Sequence, residues 1–195
     1  MRKRLLLILP IYKSQNEINV SSSDWSIRLL KQIAIEPSIY SVHVLAPQLF
    51  GLRSIPKPQQ THQQVLVDFD AYKKVSLITC FTTKLPVLKT LFNIVNSVIA
   101  VMYIRVRFPK DCFAVLTYNT YASTFAGPSF LKWIGFSFKL CPIILDLDNP
   151  SKDHWRDFKR QTKNCDRIIF ISPWAYQNYN GPKSTYNFIG VVHEA

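Results

Sequence analysis

The chain has 195 residues, of which 48% are hydrophobic and 18% are charged, and its formal net charge is +12. This composition excludes a disordered chain, and the length suits one α/β domain with its own core. The basic charge favours acidic partners such as anionic lipid or phosphorylated substrates. Because the basic residues are dispersed and no DNA- or RNA-binding motif occurs, we expect no nucleic-acid partner.

Apolar runs of strand length recur along the chain and alternate with helical patterns. Their near-continuous apolar character is typical of parallel strands that are covered on both faces. The predicted strands are Leu5–Pro10, Tyr40–Ala46, Val75–Phe81, Phe113–Tyr118, Pro142–Asp148 and Arg167–Ser172, with Val65–Phe69 as a candidate for an extra short strand. The alternation predicts a doubly wound, mostly parallel, Rossmann-like sheet of about seven strands.

Helix signals fill the gaps between these strands. Ser21 and Asp24 offer an N-terminal cap for a first helix, and Pro86 suits the first turn of a long helix that runs to about Arg107. The Gly127-Pro128 pair predicts a break or kink in the helix between Tyr121 and Gly135.

The long helix after Pro86 has an unusual composition. No charged residue occurs from Thr90 to Ile104, and a narrow polar stripe follows helical spacing. The stripe consists of Lys89, Asn93, Asn96 and Ser97, and the basic residues Arg105, Arg107 and Lys110 follow the apolar segment. One interpretation is a membrane-docking helix with a membrane-facing basic collar. The other is a helix buried against the sheet that exposes only the polar stripe.

Ligands of open parallel sheets bind beyond the carboxyl ends of the strands. This rule selects polar residues that follow the predicted strands, although Asn, Asp and Ser also serve as ordinary turn and cap residues. The candidate binding residues are Lys13, Asn119, Asp148, Asn149 and Ser172.

Asp146 and Asp148 flank one residue at the end of an apolar strand, so their side chains share a face. A divalent metal, a basic residue or a sugar hydroxyl would stabilise the two carboxylates, but a backbone contact and a helix cap would explain them equally. No glycine-rich phosphate loop follows the first strand, which argues against kinases, NTPases and NAD-dependent dehydrogenases. His43 lies within an apolar strand and is predicted to be a core residue with its hydrogen bonds satisfied. The sequence identifies no nucleophile and no metal-ligand spacing among the histidines.

Several stretches, taken in order, resemble the N-terminal domain of GT-B glycosyltransferases, especially family 4. They are the first strand with its capped helix, Ala114–Asn119, the stretch ending at Trp133-Ile134-Gly135, Pro142–Asp148, which is similar to a "gi-P-vvlDieD" motif, and Cys165–Ser172, which is similar to "aDriivvS". Glycines that family members often carry after the first strand are missing here.

The resemblance implies a division of labour between two domains. The N-terminal domain would bind the acceptor, often a lipid-linked sugar, and a C-terminal domain would hold the nucleotide-sugar. We therefore expect residues 1–195 to form one acceptor-binding domain without a cofactor of its own. Its acceptor contacts would be Asp148, Asn149 and Asn119, with Lys13 for a phosphate on the acceptor and Ser172 beside them. The nucleotide-sugar domain is expected to be absent from this chain and supplied by a donor-binding domain or subunit.

Two alternatives stay open. The first is a metal-dependent GT-A glycosyltransferase that uses Asp146 and Asp148 as a DxD motif. The second is a non-catalytic Rossmann-like module that binds a membrane or a partner subunit. We expect a cytoplasmic protein, with peripheral binding at the inner face of the membrane as an open option.

Overall fold

The computed structural model describes residues 2–8, 26, 29–30, 32–33, 35–50, 74–83, 85–144, 152–179 and 184–186. Within these ranges seven strands form one sheet, in the order β3-β2-β1-β4-β5-β6-β7. They are β1 (Lys3–Ile8), β2 (Ser41–Phe50), β3 (Val75–Thr83), β4 (Cys112–Tyr118), β5 (Lys139–Ile144), β6 (Ile168–Phe170) and β7 (Ser184–Tyr186). Every neighbouring pair is parallel, so all strands begin at one edge of the sheet and end at the other.

Helices cover both faces of this sheet. Residues 26, 29–30, 32–33 and 35 belong to a first helix, α1. The other helices are α2 (Pro86–Arg107), α3 (Ala122–Trp133), α4 (Lys152–Gln161) and α5 (Pro173–Tyr179). The strand order reverses between β1 and β4, as in doubly wound folds.

The two faces carry separate cores, because successive residues of a strand point to opposite sides. On one side Leu6 packs in a cluster to which α2, α3, α4 and α5 contribute. On the other side Leu7 packs with Leu29 and Leu30 of α1. Leu6 and Leu7 are both fully buried, which explains the near-continuous apolar pattern of the strand sequences.

The predicted α/β fold is confirmed, with shifted strand ends. The fifth strand begins at Lys139 instead of Pro142, and the sixth covers only Ile168–Phe170. The strand β7 was not among the individually predicted runs, since its three residues Ser-Thr-Tyr form no apolar stretch. The candidate strand Val65–Phe69 lies outside the described residues.

Of the break or kink predicted at Gly127-Pro128, the break is wrong, because α3 continues through both residues. The kink stays a prediction. Gly127 lies where α3 crosses α2. A Cβ atom at that position would overlap Ser97 Oγ and lie 2.7 Å from the carbonyl oxygen of Ile94. The glycine therefore allows the two helices to cross at close range.

One side of α2 packs on the sheet, as one of the two interpretations expected, but the expectation that the helix exposes only its polar stripe is wrong. Asn93 and Ser97 of that stripe are buried, together with Ala100, Val101 and Ile104. The outward side of the helix is apolar instead. The spacing of polar residues correctly indicates an amphipathic helix, but the polar stripe lies on the side that faces the protein.

Candidate functional site

A polar cleft lies at the carboxyl edge of the sheet, where β4 and β5 end. Its volume is about 210 Å³. Asn119, Thr120, Tyr121, Ile144, His154, Asp157, Phe158 and Gln161 line it. The cleft is smaller than the ~300–1,000 Å³ sites that take drug-sized ligands, so it suits one small polar group.

Asn119 forms the β4 side of the cleft and has an unusual backbone. Its φ angle is 50°, in the left-handed region that asparagine tolerates better than most residues. The backbone N–H donates a 2.8 Å hydrogen bond to the carbonyl of Ile143. Its own carbonyl accepts a 3.3 Å bond from the hydroxyl of Thr117. These bonds fix the turn between β4 and α3, and only 5% of Asn119 is exposed.

One face of α4 forms the opposite side. His154, Asp157 and Gln161 follow the i, i+3, i+7 spacing that places side chains on the same helical face. The Asp157 carboxylate lies 3.4 Å from the guanidinium of Arg160. The cleft is therefore bounded by amide, imidazole and carboxylate groups.

An aromatic cluster anchors α4 in this position. Phe158 is only 4% exposed. Its ring lies 5.6 Å from Tyr179, 5.9 Å from Trp155 and 6.2 Å from Phe170. Since Phe158 directly follows Asp157, burying one ring in the core turns the neighbouring polar residues toward Asn119. The contacts of Phe158 with Trp155 and Tyr179 are edge-to-face, which is a favoured arrangement of aromatic rings.

The side chains that line the cleft can form hydrogen bonds with a polar ligand. Amide and carboxylate oxygens accept hydrogen bonds from sugar hydroxyls, and the Asn119 and Gln161 amides can also donate. Within the described ranges, no group of three or more His, Cys, Asp or Glu side chains is arranged to hold a metal ion.

The predicted site residues have different outcomes. Asn119 lines the cleft, as expected of a residue at the end of β4. Ser172 instead caps α5, since its hydroxyl accepts a 3.3 Å bond from the Ala175 N–H and its carbonyl accepts one from Tyr176. Lys13, Asp146, Asp148 and Asn149 lie outside the described residues.

Arg105, Arg107 and Lys110 lie at the opposite edge of the sheet, where the strands begin. The Arg105 guanidinium donates to the carbonyl of Asp111 at 3.3 Å. The Arg107 guanidinium lies 5.9 Å from the rings of Tyr103 and Phe108. Lys110 is exposed.

Sequence reasoning missed His154, Asp157 and Gln161. Their signal was a polar i, i+3, i+7 face beside a buried aromatic residue. In sequence, that pattern is indistinguishable from the solvent face of an ordinary amphipathic helix.

Comparisons of the chain with protein-family models and with curated proteins find no match.

Proposed function

We propose that this chain is the acceptor-binding half of a GT-B-type glycosyltransferase, which transfers a sugar from a nucleotide-sugar to a lipid-linked glycan. The observation that carries the proposal is the cleft between Asn119 and the His154, Asp157 and Gln161 face of α4. It lies at the carboxyl edge of a doubly wound parallel sheet, where ligands of this architecture bind.

The cleft supplies binding groups without an evident nucleophile. In a GT-B enzyme the acceptor domain orients the accepting hydroxyl, and the donor lies on a second domain across the cleft. The amide of Asn119 and the carboxylate of Asp157 suit that role, because both can hydrogen-bond a sugar hydroxyl directly. Asp148, Asn149 and Lys13 remain predicted contacts of the same acceptor, with Lys13 near its phosphate.

The donor half would come from a further domain or a partner subunit. The nucleotide-sugar would bind there, so this chain needs no resident cofactor. A purified chain should therefore bind the acceptor but transfer no sugar.

The first test is acceptor binding by isothermal titration calorimetry, with a hexose linked through diphosphate to a short prenyl chain as the probe. Asn119→Gly deletes the amide but keeps the left-handed backbone accessible, and Gln161→Ala removes a second cleft group. A hydrogen bond to a neutral group contributes about 1 kcal/mol, so each variant should weaken binding about five-fold. Gln177→Ala on the exposed surface of α5 is the matched control and should bind normally.

The second test is sugar transfer by the chain alone, using UDP- and GDP-sugars with and without Mn²⁺. Acceptor binding without turnover supports the proposal. Metal-dependent turnover would overturn it and favour the GT-A alternative, with Asp146 and Asp148 as metal ligands. If Gln161→Ala and Gln177→Ala bind the acceptor equally well, the cleft does not bind the acceptor.

A further inference from the structure

The helix α2 exposes its apolar side to solvent. Val87 is 82% exposed, Ile99 57% and Val106 78%. The outward face of α2 consists of Val87, Leu88, Leu91, Phe92, Val95, Ile99, Met102 and Val106. The helix has 22 residues and is about 33 Å long at 1.5 Å per residue. Soluble monomers rarely expose so long an apolar strip unless it binds something.

The inward side of α2 belongs to the fold. Ala100, Val101 and Ile104 are buried in the core with Leu6 of the central strand. Ser97 packs against Gly127 of α3. By length and composition α2 is the one helix in the described ranges that could cross a membrane, with a mean hydropathy of 1.7. Because one side is committed to the sheet and to α3, only the outward face is available to lipid.

Basic residues lie at the same edge of the sheet as the carboxyl end of α2. This basic rim consists of Arg2, Lys3, Lys74, Arg107 and Lys110, all at the edge where the strands begin. Arg2, Lys3 and Lys74 line an open recess there.

Acidic residues at the same edge are engaged by other groups. The Asp111 carboxylate lies 2.6 Å from Arg4 Nε. Asp166 lies 2.9 Å from Lys132 and 3.1 Å from Lys139. Glu36 accepts a hydrogen bond from the Ser38 N–H. The field around the end of α2 is therefore positive, in line with the +12 charge of the chain.

We propose that the outward face of α2 docks on an anionic lipid bilayer. The apolar side chains enter the boundary between headgroups and acyl chains, and the basic rim binds lipid phosphates. Tyr103 is 48% exposed and Trp133, at the end of the neighbouring α3, is 70% exposed. Both residue types favour the membrane interface.

The surface fits lipid better than a protein partner. The whole of α2 contains no acidic residue, and the eight residues of its outward face are all apolar, with the hydroxyl of the exposed Tyr103 beside them. Protein interfaces carry a polar rim and about one hydrogen bond per 100–200 Å². Here the basic residues of the rim outnumber the acidic residues at the same edge, which matches an anionic surface.

This docking would also orient the polar cleft. Because α2 leads from the carboxyl end of β3 back to the amino end of β4, it runs roughly antiparallel to the strands. When α2 lies in the membrane plane, the strands therefore run parallel to the bilayer surface. The cleft would then open sideways along the bilayer. The docking inference does not depend on the sugar-binding proposal, and its test involves no sugar.

The test is co-sedimentation of the full chain with vesicles of phosphatidylcholine alone, or of equal parts phosphatidylcholine and phosphatidylglycerol. The wild-type chain should bind the anionic vesicles far better than the neutral ones. Ile99→Glu places a charge on the outward face and should weaken binding about ten-fold or more. Arg107→Ala should weaken binding to anionic vesicles about five-fold and leave binding to neutral vesicles unchanged.

Two matched control variants carry the same kinds of substitution outside the outward face of α2 and the basic rim. Ile35→Glu introduces the same charge at a 66% exposed isoleucine on α1, on the other face of the sheet. Arg156→Ala removes an exposed arginine from α4. Both should bind like the wild-type chain, and circular-dichroism melts should show that every variant is folded.

Equal vesicle binding by Ile99→Glu and Ile35→Glu would overturn the inference. So would a wild-type dimer in analytical ultracentrifugation that binds no vesicles and that Ile99→Glu dissociates. In that case the outward face would be a contact between two copies of the chain.

Discussion

At the scale of single residues, Asn119 combines a backbone role with a cleft position. Its φ is 50°, a backbone conformation that glycine adopts readily, that asparagine tolerates and that is unfavourable for alanine. We expect Asn119→Ala to be less stable than Asn119→Gly by about 1 kcal/mol, although alanine is the better residue in most contexts. Urea unfolding of the two variants measures the difference. A more stable alanine variant would contradict the assigned backbone conformation.

His43 is a second residue whose surroundings predict a measurable effect. Its Nδ1 lies 2.6 Å from Ser76 Oγ, its Nε2 lies 3.3 Å from Ser41 Oγ, and its ring stacks on Phe108. The expectation of a core histidine with satisfied hydrogen bonds is confirmed. Burial lowers the pKa of His43, and the neighbouring Arg4 lowers it further.

The direction of the pH effect follows from that lowered pKa. The unfolded chain takes up the proton near the ordinary histidine pKa of about 6.5, before the folded chain does. The stability due to neutral His43 is therefore complete above about pH 6.5 and is lost as the pH falls toward the lower folded pKa. We expect His43→Gln to show a smaller loss of urea midpoint between about pH 7.5 and about pH 5.5 than the wild-type chain. Equal losses would mean that His43 does not titrate differently on folding.

At the scale of elements, the crossing of α2 and α3 depends on Gly127. Replacing a helical glycine with alanine ordinarily stabilises a helix by up to ~1 kcal/mol. Here the new methyl group would meet Ser97 Oγ and the Ile94 carbonyl, so the helices must separate. We expect Gly127→Ala to destabilise the protein by about 1–3 kcal/mol. The matched variant Ser123→Ala tests an ordinary position of the same helix and should change stability little, whereas a rise in Tm for Gly127→Ala would contradict the close crossing.

Some helices and strands are predictable from the sequence and others are not. Six strands were predictable because parallel strands buried on both faces leave continuous apolar runs, whereas Ser184–Tyr186 leaves none. The period of α2 was predictable, but its rotation was not. Which side of a helix is buried depends on partners such as Gly127, which sequence spacing does not reveal. For the same reason Asn119 could be selected by strand position, while Asp157 on α4 could not.

At the scale of the whole molecule, the excess of positive charge should influence stability. A chain with a net charge of +12 repels itself in the folded state, and added salt screens that repulsion. The pairs Arg4–Asp111 and Lys132–Asp166 are partly buried, so salt should weaken them less than it weakens the repulsion between exposed charges. We therefore expect the urea midpoint to rise as NaCl is added.

A charge-reversed variant tests the cause of that rise. Arg107→Glu with Lys110→Glu changes the charge by two at each position and lowers the total from +12 to +8. Both side chains are exposed, so the core should be unaffected. The variant should be more stable than the wild-type chain at low salt and should gain less from added NaCl, because less repulsion remains to be screened. A wild-type midpoint that falls with NaCl would mean that ion pairs outweigh the net repulsion. If the urea midpoints of the two chains rise equally with NaCl, the repulsion that salt screens does not come from the basic rim.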